Sequence, residues 1–576
     1  MTLLSPWAEK LDRQNPLPEY PRMQLQRNSF FSLNGLWKYQ IVQAGEQPNE
    51  KNWKDILVPF ALGSKLSGTQ EELRPGETLW YQKFFKYKPL HMRTMLNFEG
   101  VDQVCAVYLN GLPAGMHAGG YAPFSLDVTA MIKENNVLLV KCNDDSDQSS
   151  LAFGKQRIEH GGIWYTPSSG IWQSVWMENV PASFVQDLKI TVDYDASRVY
   201  IRLAGNFTQA VINVAAGGKM ISRGITNDKN YTVEMPKFHP WTPDDPFLYD
   251  LYIQTEDETI KSYFGMRKFS AARDGTGYTR FCLNNEPLFL SGLLDQGYSV
   301  DGLMTYPSDE AMQFELNKIH DMHFNLLRKH VKVECRRWYY WCDRIGILVM
   351  QDMPCGGGSY DLKYHGIRPM LGQRKIKDNQ YEKTGREDLQ SRKNYYYELD
   401  QMLDNLYNCV CVCSWVPFNE GWGQFDSRKV SEHIQNYDTT RLVDSASGWF
   451  DQGAGDFNSR HVYFHAFHTP MRKDDRILLL SEFGGYTYLE SAHSEPKKLS
   501  GYKIFKDRIR LDEAIQKLYS QEIMPAIEKG LAGCIYTQVS DVEDECNGLF
   551  TADRRILKID EREMKRTNER CIRSMK

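Results

Sequence analysis

Beyond Thr279 the chain settles into short apolar runs alternating with amphipathic stretches, a rhythm that restricts it to parallel β/α units. Eight runs can be counted: LFLSGLLDQ, FNLLRKH, ILVMQDMP, CVCVCSWVPFNE, RLVDSAS, HVYFHAF, ILLLSEFGG and AGCIYTQVS. Helical periodicity fills most of the gaps, at 309–322, 336–345, 388–407, 426–437 and 512–529. Eight units in about 300 residues predict a closed (β/α)8 TIM barrel over 273–576. The Gly-, Lys- and Tyr-rich segment 356–386 interrupts the third unit and is expected as a long loop over the barrel mouth.

A chain of 576 residues exceeds what one hydrophobic core supports, so further domains are expected before the barrel. Residues 1–180 carry short alternating strands such as MLNFEG and VCAVYLN, punctuated by Asn110-Gly111 and Gly119-Gly120, and read as a β-sandwich. Residues 181–272, with KITVDY, VYIRLAG, YTVEMP, LYDLYIQ and KSYFGMRKFS, predict a second, smaller sandwich of immunoglobulin-like spacing.

A net charge of -5 with 25% charged residues gives no bias toward nucleic acid or an anionic membrane. No run is long enough to span a bilayer, and the start MTLLSPWAEKLDRQ lacks the features of a secretory signal. The 12 cysteines are scattered rather than framed, and Cys409, Cys411 and Cys413 alternate with valine as on one face of a buried strand. A cytoplasmic location is the expectation. The 12% aromatic content suits sugar binding but is equally served by β-rich cores.

Reacting groups in a barrel of this kind lie at the C-terminal ends of its strands, where the loops form one concave face. The fourth run ends in PFNEGWG and the seventh in SEFGG, so Glu420 and Glu482 are both placed at the mouth. Hydrolysing an acetal needs a proton for the leaving oxygen and a negative group at the oxocarbenium-like carbon, and two carboxyls suffice. Their separation decides the course: about 5–5.5 Å allows direct attack and retention, about 6.5–9.5 Å admits a water and gives inversion. Asp295, Gln296, His330 and Asp352 also end strands and are candidate sugar ligands, while Trp422 and Trp449 could stack on apolar sugar faces. His461, His465 and His468 lie along one strand and its loop, a spacing that suits substrate contact or packing better than zinc. No metal or other cofactor is expected.

With these residues placed, the chain resembles glycoside hydrolase family 2, the β-galactosidase, β-glucuronidase and β-mannosidase group, in a short three-domain form. SLNGLWKY, LWYQKFF, VDQVCAVYLNGLPAGMHAGGYAPFSLDVT and GIWYTPSSGIWQSVWMENVP are similar to its jelly-roll sugar-binding domain, and WTPDDPFLYDLYI and FGMRKFS to its sandwich domain. LLDQGYSVDGLMTYPSDEA, FNLLRKHVKVECRRWYYWCDRIGILVMQDMP and TQVSDVEDECNGLFTADRR resemble the barrel of one short-chain branch. The resemblance implies that Glu420 is the acid/base, that Asn419 holds the sugar 2-hydroxyl and that Glu482 is the nucleophile. It further implies that Arg328 pairs with Glu482 and keeps it ionised, and that Tyr463 hydrogen-bonds the nucleophile.

Glucuronidases of the family carry an Asn-x-Lys motif for the sugar carboxylate, and the matching stretch Glu545-Cys546-Asn547-Gly548-Leu549 has no such lysine. A neutral sugar is therefore favoured. Tyr536-Thr537-Gln538 replaces the family's usual tryptophan after the eighth strand, and Gly161-Gly162 or neighbours replace an acidic sugar contact. The expected activity is exo-hydrolysis of a terminal β-linked sugar, β-galactoside first, with a β-glucuronide, β-mannoside or α-L-arabinoside as the other substrates. A sugar-binding protein on a hydrolase scaffold and a metal-dependent hydrolase built on the histidines are the competing readings. The expected partner is an oligosaccharide or glycoside, with homo-oligomerisation left open.

Overall fold

The computed structural model describes residues 3–90, 92–361, 363–368, 376–470 and 475–575. The first domain is a sandwich of two antiparallel sheets. One has six strands (Lys54–Val58, Gly35–Gln43, Glu77–Lys86, Asn135–Asn143, Val104–Leu109, Leu112–Ala118). The other has four (Phe31–Ser32, Val175–Val180, Arg93–Phe98, Phe124–Asp127). Strict alternation of burial along Asn135–Asn143 sends Leu138, Val140 and Cys142 into a core with Trp37, Tyr81 and Phe98. A second sandwich packs the three-stranded sheet Val185–Asp193, Arg198–Gly205, Asn230–Glu234 on the four-stranded sheet Lys219–Thr226, Ala210–Ala216, Tyr249–Gln254, Thr259–Phe264. The string KSYFGMRKFS divides: Phe269–Arg273 pairs instead with Thr279–Leu283, and Phe269 and Phe281 join the core of the barrel.

The barrel strands are β1 Leu290–Asp295, β2 Leu326–Lys329, β3 Leu348–Asp352, β4 Val412–Val416, β5 Leu442–Val443, β6 Phe457–Val462, β7 Ile477–Gly484 and β8 Leu531–Thr537. They form one parallel sheet in the order β5-β4-β3-β2-β1-β8-β7-β6. Closure is incomplete, because β5 is only two residues long and has no ladder with β6. Asp456, one residue before β6, bridges that seam: its amide donates to the Val443 carbonyl at 2.7 Å and its carboxylate accepts from the Val443 amide at 2.8 Å.

Both faces of these strands are buried, with period two. Leu290, Leu294, Leu326, Leu348, Met350 and Ile535 face the barrel interior, while Leu293, Leu327, Val349 and Cys534 face the helices. The helices α1 Asp309–Asp321, α2 Arg336–Ile345, α3 Leu389–Leu406 and α4 Ser427–Tyr437 lie close to their predicted bounds. The helix expected at 512–529 starts earlier, as α5 Arg508–Leu518 capped by the Asp507 carboxylate on the Arg510 amide. It then widens into a π turn at Tyr519–Ile523 before Met524–Ile527. Pro525 has no amide to donate, and a π turn accommodates the interrupted ladder. The interruption of the third unit is partly structured, with turns at Lys363–Ile367 and Tyr381–Lys383; its residues 362 and 369–375 lie outside the described residues. Every cysteine is an unpaired thiol. Among the described residues no helix is long and apolar enough to cross a membrane.

The loop after β8 is anchored from inside. Lys558 Nζ donates to Asp541 Oδ1 at 2.7 Å and to the Cys546 and Tyr488 carbonyls at 3.0 and 2.9 Å, and both side chains of the pair are fully buried. Removing one member of such a pair strands a buried charge. Lys558→Met is expected to cost about 3–5 kcal/mol in urea unfolding, and adding Asp541→Asn to recover part of it. A loss below about 1 kcal/mol would show that this pair does not hold the loop.

Candidate active site

Arg328 sits on β2 with the parity of the inward residue Leu326, so its side chain enters the top of the barrel rather than the helix layer. Asp352 shares that parity on β3. The guanidinium meets Asp352 through two bonds, Nε to Oδ1 at 2.9 Å and Nη2 to Oδ2 at 3.0 Å. It also donates to Asn419 Oδ1 at 2.7 Å and to Glu482 Oε1 at 3.2 Å, and it is 0% exposed. Burial opposes its charge, but Asp352 and Glu482 outweigh burial and hold its pKa above the ordinary value.

Simple alternation would turn Glu482 outward, since Leu479 faces the interior and Leu480 the helices. A bulge prevents this: Arg460 pairs with Leu480 but His461 pairs with Glu482, leaving Ser481 as the extra residue. Glu482 is thereby returned to the interior. Glu420 lies beyond the end of β4, where its φ of 50° places it in the left-handed region and its amide bonds the Ser447 carbonyl at 3.0 Å. The following Gly421 is required, because a Cβ there would come within 2.1 Å of the Phe450 ring.

His461 joins the two carboxylates, with Nδ1 2.9 Å from Glu420 Oε1 and 3.5 Å from Glu482 Oε2. Its Nε2 lies 3.3 Å from Arg328 Nη1. Arginine can only donate, so Nε2 is the acceptor and Nδ1 carries the proton it offers to Glu420. Gly448 makes room for the ring, since a Cβ there would meet it at 2.5 Å. Carboxylate oxygens of Glu420 and Glu482 and a ring nitrogen of His461 all lie within 4.8 Å of one another. Such a trio could ligate a cation, but Arg328 already bonds both His461 and Glu482 and opposes a second positive charge.

Burial raises the Glu420 carboxyl to about 7, against the pull of Lys155 and Arg328. Burial and, after it, the neighbouring Glu420 charge raise Glu482, opposed by His461, Arg328 and a hydrogen bond from Tyr463. The expected Arg328–Glu482 contact is therefore present, yet it does not bring that carboxyl below its ordinary value. Tyr463 Oη donates to Glu482 Oε2 at 2.5 Å, contacts Thr537 Oγ1 at 2.9 Å, and its ring stacks on Tyr502 with centroids 3.8 Å apart. His330 places Nδ1 3.0 Å from Asp352 Oδ2, and burial lowers its pKa to about 3, so the ring is neutral and Nε2 is left as an acceptor. Asn419 Nδ2 is buried with no hydrogen-bond partner among the described residues.

The remaining expectations divide. Asp295 has the outward parity of Leu293, so it does not reach the mouth; its carboxylate takes Lys329 Nζ at 2.6 Å behind the strands. Gln296 bonds Gln538 Oε1 at 2.7 Å. His465 and His468 are exposed, and His465 bonds the Ala466 carbonyl at 3.1 Å, so neither joins His461. Their separation follows from strand placement: β6 runs from Phe457 to Val462, beginning four and ending five residues earlier than the run HVYFHAF suggested. The earlier half of β6 carries Asn458 and Ser459, polar but buried, with Ser459 Oγ on Asp444 Oδ2 at 2.5 Å, which hid the strand from an apolarity count. Trp422 is 6% exposed among Phe153, Cys355 and Trp164, whereas Trp449 is half-buried with its ring 6.4 Å from His461.

Residues 68–167 match the family described as glycosyl hydrolase 2 galactose-binding domain-like, and residues 279–487 that described as glycosyl hydrolases family 2, TIM barrel domain. A β-galactosidase of Thermoanaerobacter pseudethanolicus is 24% identical over 441 residues, 70% of this chain and 52% of that protein. The β-galactosidase large subunit of Lactobacillus helveticus is 25% identical over 60% of this chain and 54% of its own length. The chain thus spans about half the length of the curated relatives it matches. Among solved structures, a β-glucuronidase of an uncultured Clostridium sp. has a TM-score of 0.74 at 17% identity, covering 95% of this chain and 99% of that one. A GH2 β-galacturonidase of Eisenbergiella tayi bound to galacturonate has a TM-score of 0.69 at 17% identity, covering 95% of this chain and 98% of its own. These structures share the fold, and the two matched segments identify the chain as a member of glycoside hydrolase family 2.

Proposed function

We propose that this chain is a retaining exo-glycoside hydrolase acting on a terminal β-linked sugar, a β-galactoside first, with Glu420 as acid/base and Glu482 as nucleophile. The observation that carries the reading is that one oxygen of each carboxylate lies within 4.8 Å of the other, in keeping with the about 5–5.5 Å between carboxyl groups that direct attack needs. In the first step Glu420 gives its proton to the glycosidic oxygen as Glu482 attacks the anomeric carbon and the aglycone departs. In the second, Glu420 takes a proton from water, which attacks the same carbon and returns Glu482 to its carboxylate. Asn419 Nδ2, otherwise unpaired, is assigned to the sugar 2-hydroxyl, and Tyr463 steadies Glu482 between the steps. A second reading, uronide hydrolysis, is favoured by the β-glucuronidase and β-galacturonidase names of the structural neighbours.

Glu482→Gln is expected to lower kcat for aryl β-galactosides on the order of 10⁴–10⁶-fold, and a 2-fluoro glycosyl fluoride to label Glu482 in the parent protein. Near-parental turnover of Glu482→Gln would remove it as nucleophile.

Glu420 must start protonated, so kcat/KM should decline as pH rises through about 7. The same group affects stability in a fixed direction. The unfolded chain releases this proton near 4.5 and the folded chain at about 7, so stability falls as pH rises across that window. Glu420→Gln should therefore be more stable than the parent at pH 8, on the order of 1–3 kcal/mol, and indistinguishable from it near pH 4. It should also lose about 10²–10⁴-fold in kcat/KM on substrates with poor leaving groups. Unfolding curves at the two pH values with the reverse order would contradict this protonation state.

A further inference from the structure

An aromatic stack stands at the mouth beside Glu482. Tyr463, whose hydroxyl meets Glu482 Oε2 at 2.5 Å, lies flat on Tyr502, with ring centroids 3.8 Å apart and planes 1° from parallel. Tyr502 in turn takes the ring of Phe464 against it, centroid to centroid 5.2 Å and tilted by 64°. The segment that carries Tyr502 is tied down on both sides. The Ser500 amide donates to the Asp544 carbonyl at 2.9 Å in the loop after β8, and Lys503 and Ile504 pair in parallel with Tyr486 and Thr487 just beyond β7. A stack fixed in this way holds Phe464 in one place.

That place is on the surface. Phe464 is 66% exposed, and Ile504, two residues along from Tyr502, is 61% exposed. Lys503 turns away from Ile504, with Nζ 5.3 and 5.2 Å from the ring centroids of Tyr486 and Phe505. One exposed apolar residue is ordinary. A phenyl ring resting on the tyrosine pair that touches the proposed nucleophile, with a second large apolar side chain on the same tied segment, is apolar surface beside chemistry.

The site runs from a closed end to this open one. Arg328, Asn419 and His330 are buried, and Asn419 is the group assigned to the sugar 2-hydroxyl. In an exo-acting site the terminal sugar fills the closed end, so the leaving group emerges toward the rim. The end of β6 and the residues after it line that exit. His461 Nδ1 is 2.9 Å from Glu420, the proposed proton donor to the departing oxygen, Tyr463 reaches Glu482, and Phe464 follows directly.

We propose that Phe464, backed by Tyr502, is the leaving-group subsite, and that it selects a flat apolar aglycone, an aryl alcohol rather than a second sugar. The inference rests on the hydrolase reading above and names the half of the substrate which that reading leaves open. Phe464 and Ile504 have no hydrogen-bonding atom in their side chains. Hydroxyls of a second sugar laid over them would lose water and find no side-chain partner there, whereas an aryl ring gives up no hydrogen bond and covers apolar surface. The exposed part of the Phe464 ring is free for an offset or edge-on contact with such a ring.

Calorimetric titration should use the phenyl and methyl 1-thio-β-glycosides of D-galactose, D-glucose, D-mannose and D-glucuronic acid, together with thio-linked galactosyl-glucose. The proteins are the full chain, Phe464→Ala and Phe464→Trp. For the sugar that binds best, the phenyl glycoside should bind the parent about tenfold more tightly than the methyl glycoside. Phe464→Ala should shrink that preference about fivefold and Phe464→Trp should keep it, with melting temperatures close to the parent because the ring is exposed. Equal binding of phenyl and methyl glycosides, tighter binding of galactosyl-glucose than of the phenyl glycoside, or binding of none would each overturn the proposal. Equal weakening of phenyl and methyl glycosides in Phe464→Ala would also overturn it, since Phe464 would then only prop Tyr463. A phenyl preference lost in Phe464→Ala, in a protein whose Glu482 takes no fluorosugar label, would leave the subsite standing and remove the retaining mechanism; labelling without a phenyl preference would do the reverse.

Discussion

The site depends on one guanidinium. Arg328 enters from β2 and touches residues of four other strand ends: Asp352 on β3, Asn419 after β4, His461 on β6 and Glu482 on β7. Five planar donors suit that task, because a fork can bind Asp352 through two bonds and still reach the others, which a lysine cannot. The charge is affordable at 0% exposure only because two carboxylates surround it. Since Arg328 cannot accept a hydrogen bond, it also decides which nitrogen of His461 holds the proton, and hence what His461 offers to Glu420. Orientation of the oxygen-bearing groups is thus set by one residue made rigid by its own partners.

Much of this was legible in the sequence, for a definite reason. The apolar runs of β4 and β7 end in Glu420 and Glu482, and the strand-end rule needs no side-chain geometry to place them at the mouth. Parity alone separates Arg328 and Asp352 from Asp295, yet a residue-by-residue reading of strand ends treats them alike. Glu482 shows the limit of parity, because the bulge at Ser481 reverses it and leaves no mark in the letters. β6 was misplaced because Asn458 and Ser459 are buried polar residues, and with the strand shifted, His461 was grouped with two exposed histidines. A polar residue inside the last two positions of a barrel strand was the available signal.

The placement of residues 152–168 was beyond reach of any local reading. It is made by contacts between segments 380 residues apart in sequence, such as Tyr165 with Glu545. GKQ and GIWYTP look like ordinary sandwich loops, and only the ties to the loops after β3 and β8 turn them into a wall of the site. The first domain therefore contributes a segment to the barrel mouth.

The two glutamates share a buried setting, so the division of labour proposed for them has to come from neighbours. Ionising both at this separation is penalised, and the first negative charge settles where direct partners are best. Glu482 has an arginine at 3.2 Å and a tyrosine hydroxyl at 2.5 Å, whereas Glu420 has the His461 ring at 2.9 Å and cations acting at longer range. In the proposed route the starting proton is on Glu420. Esterification of Glu482 in that route removes a negative charge that would oppose ionisation of Glu420, and Glu420 can then act as the base that the second step needs.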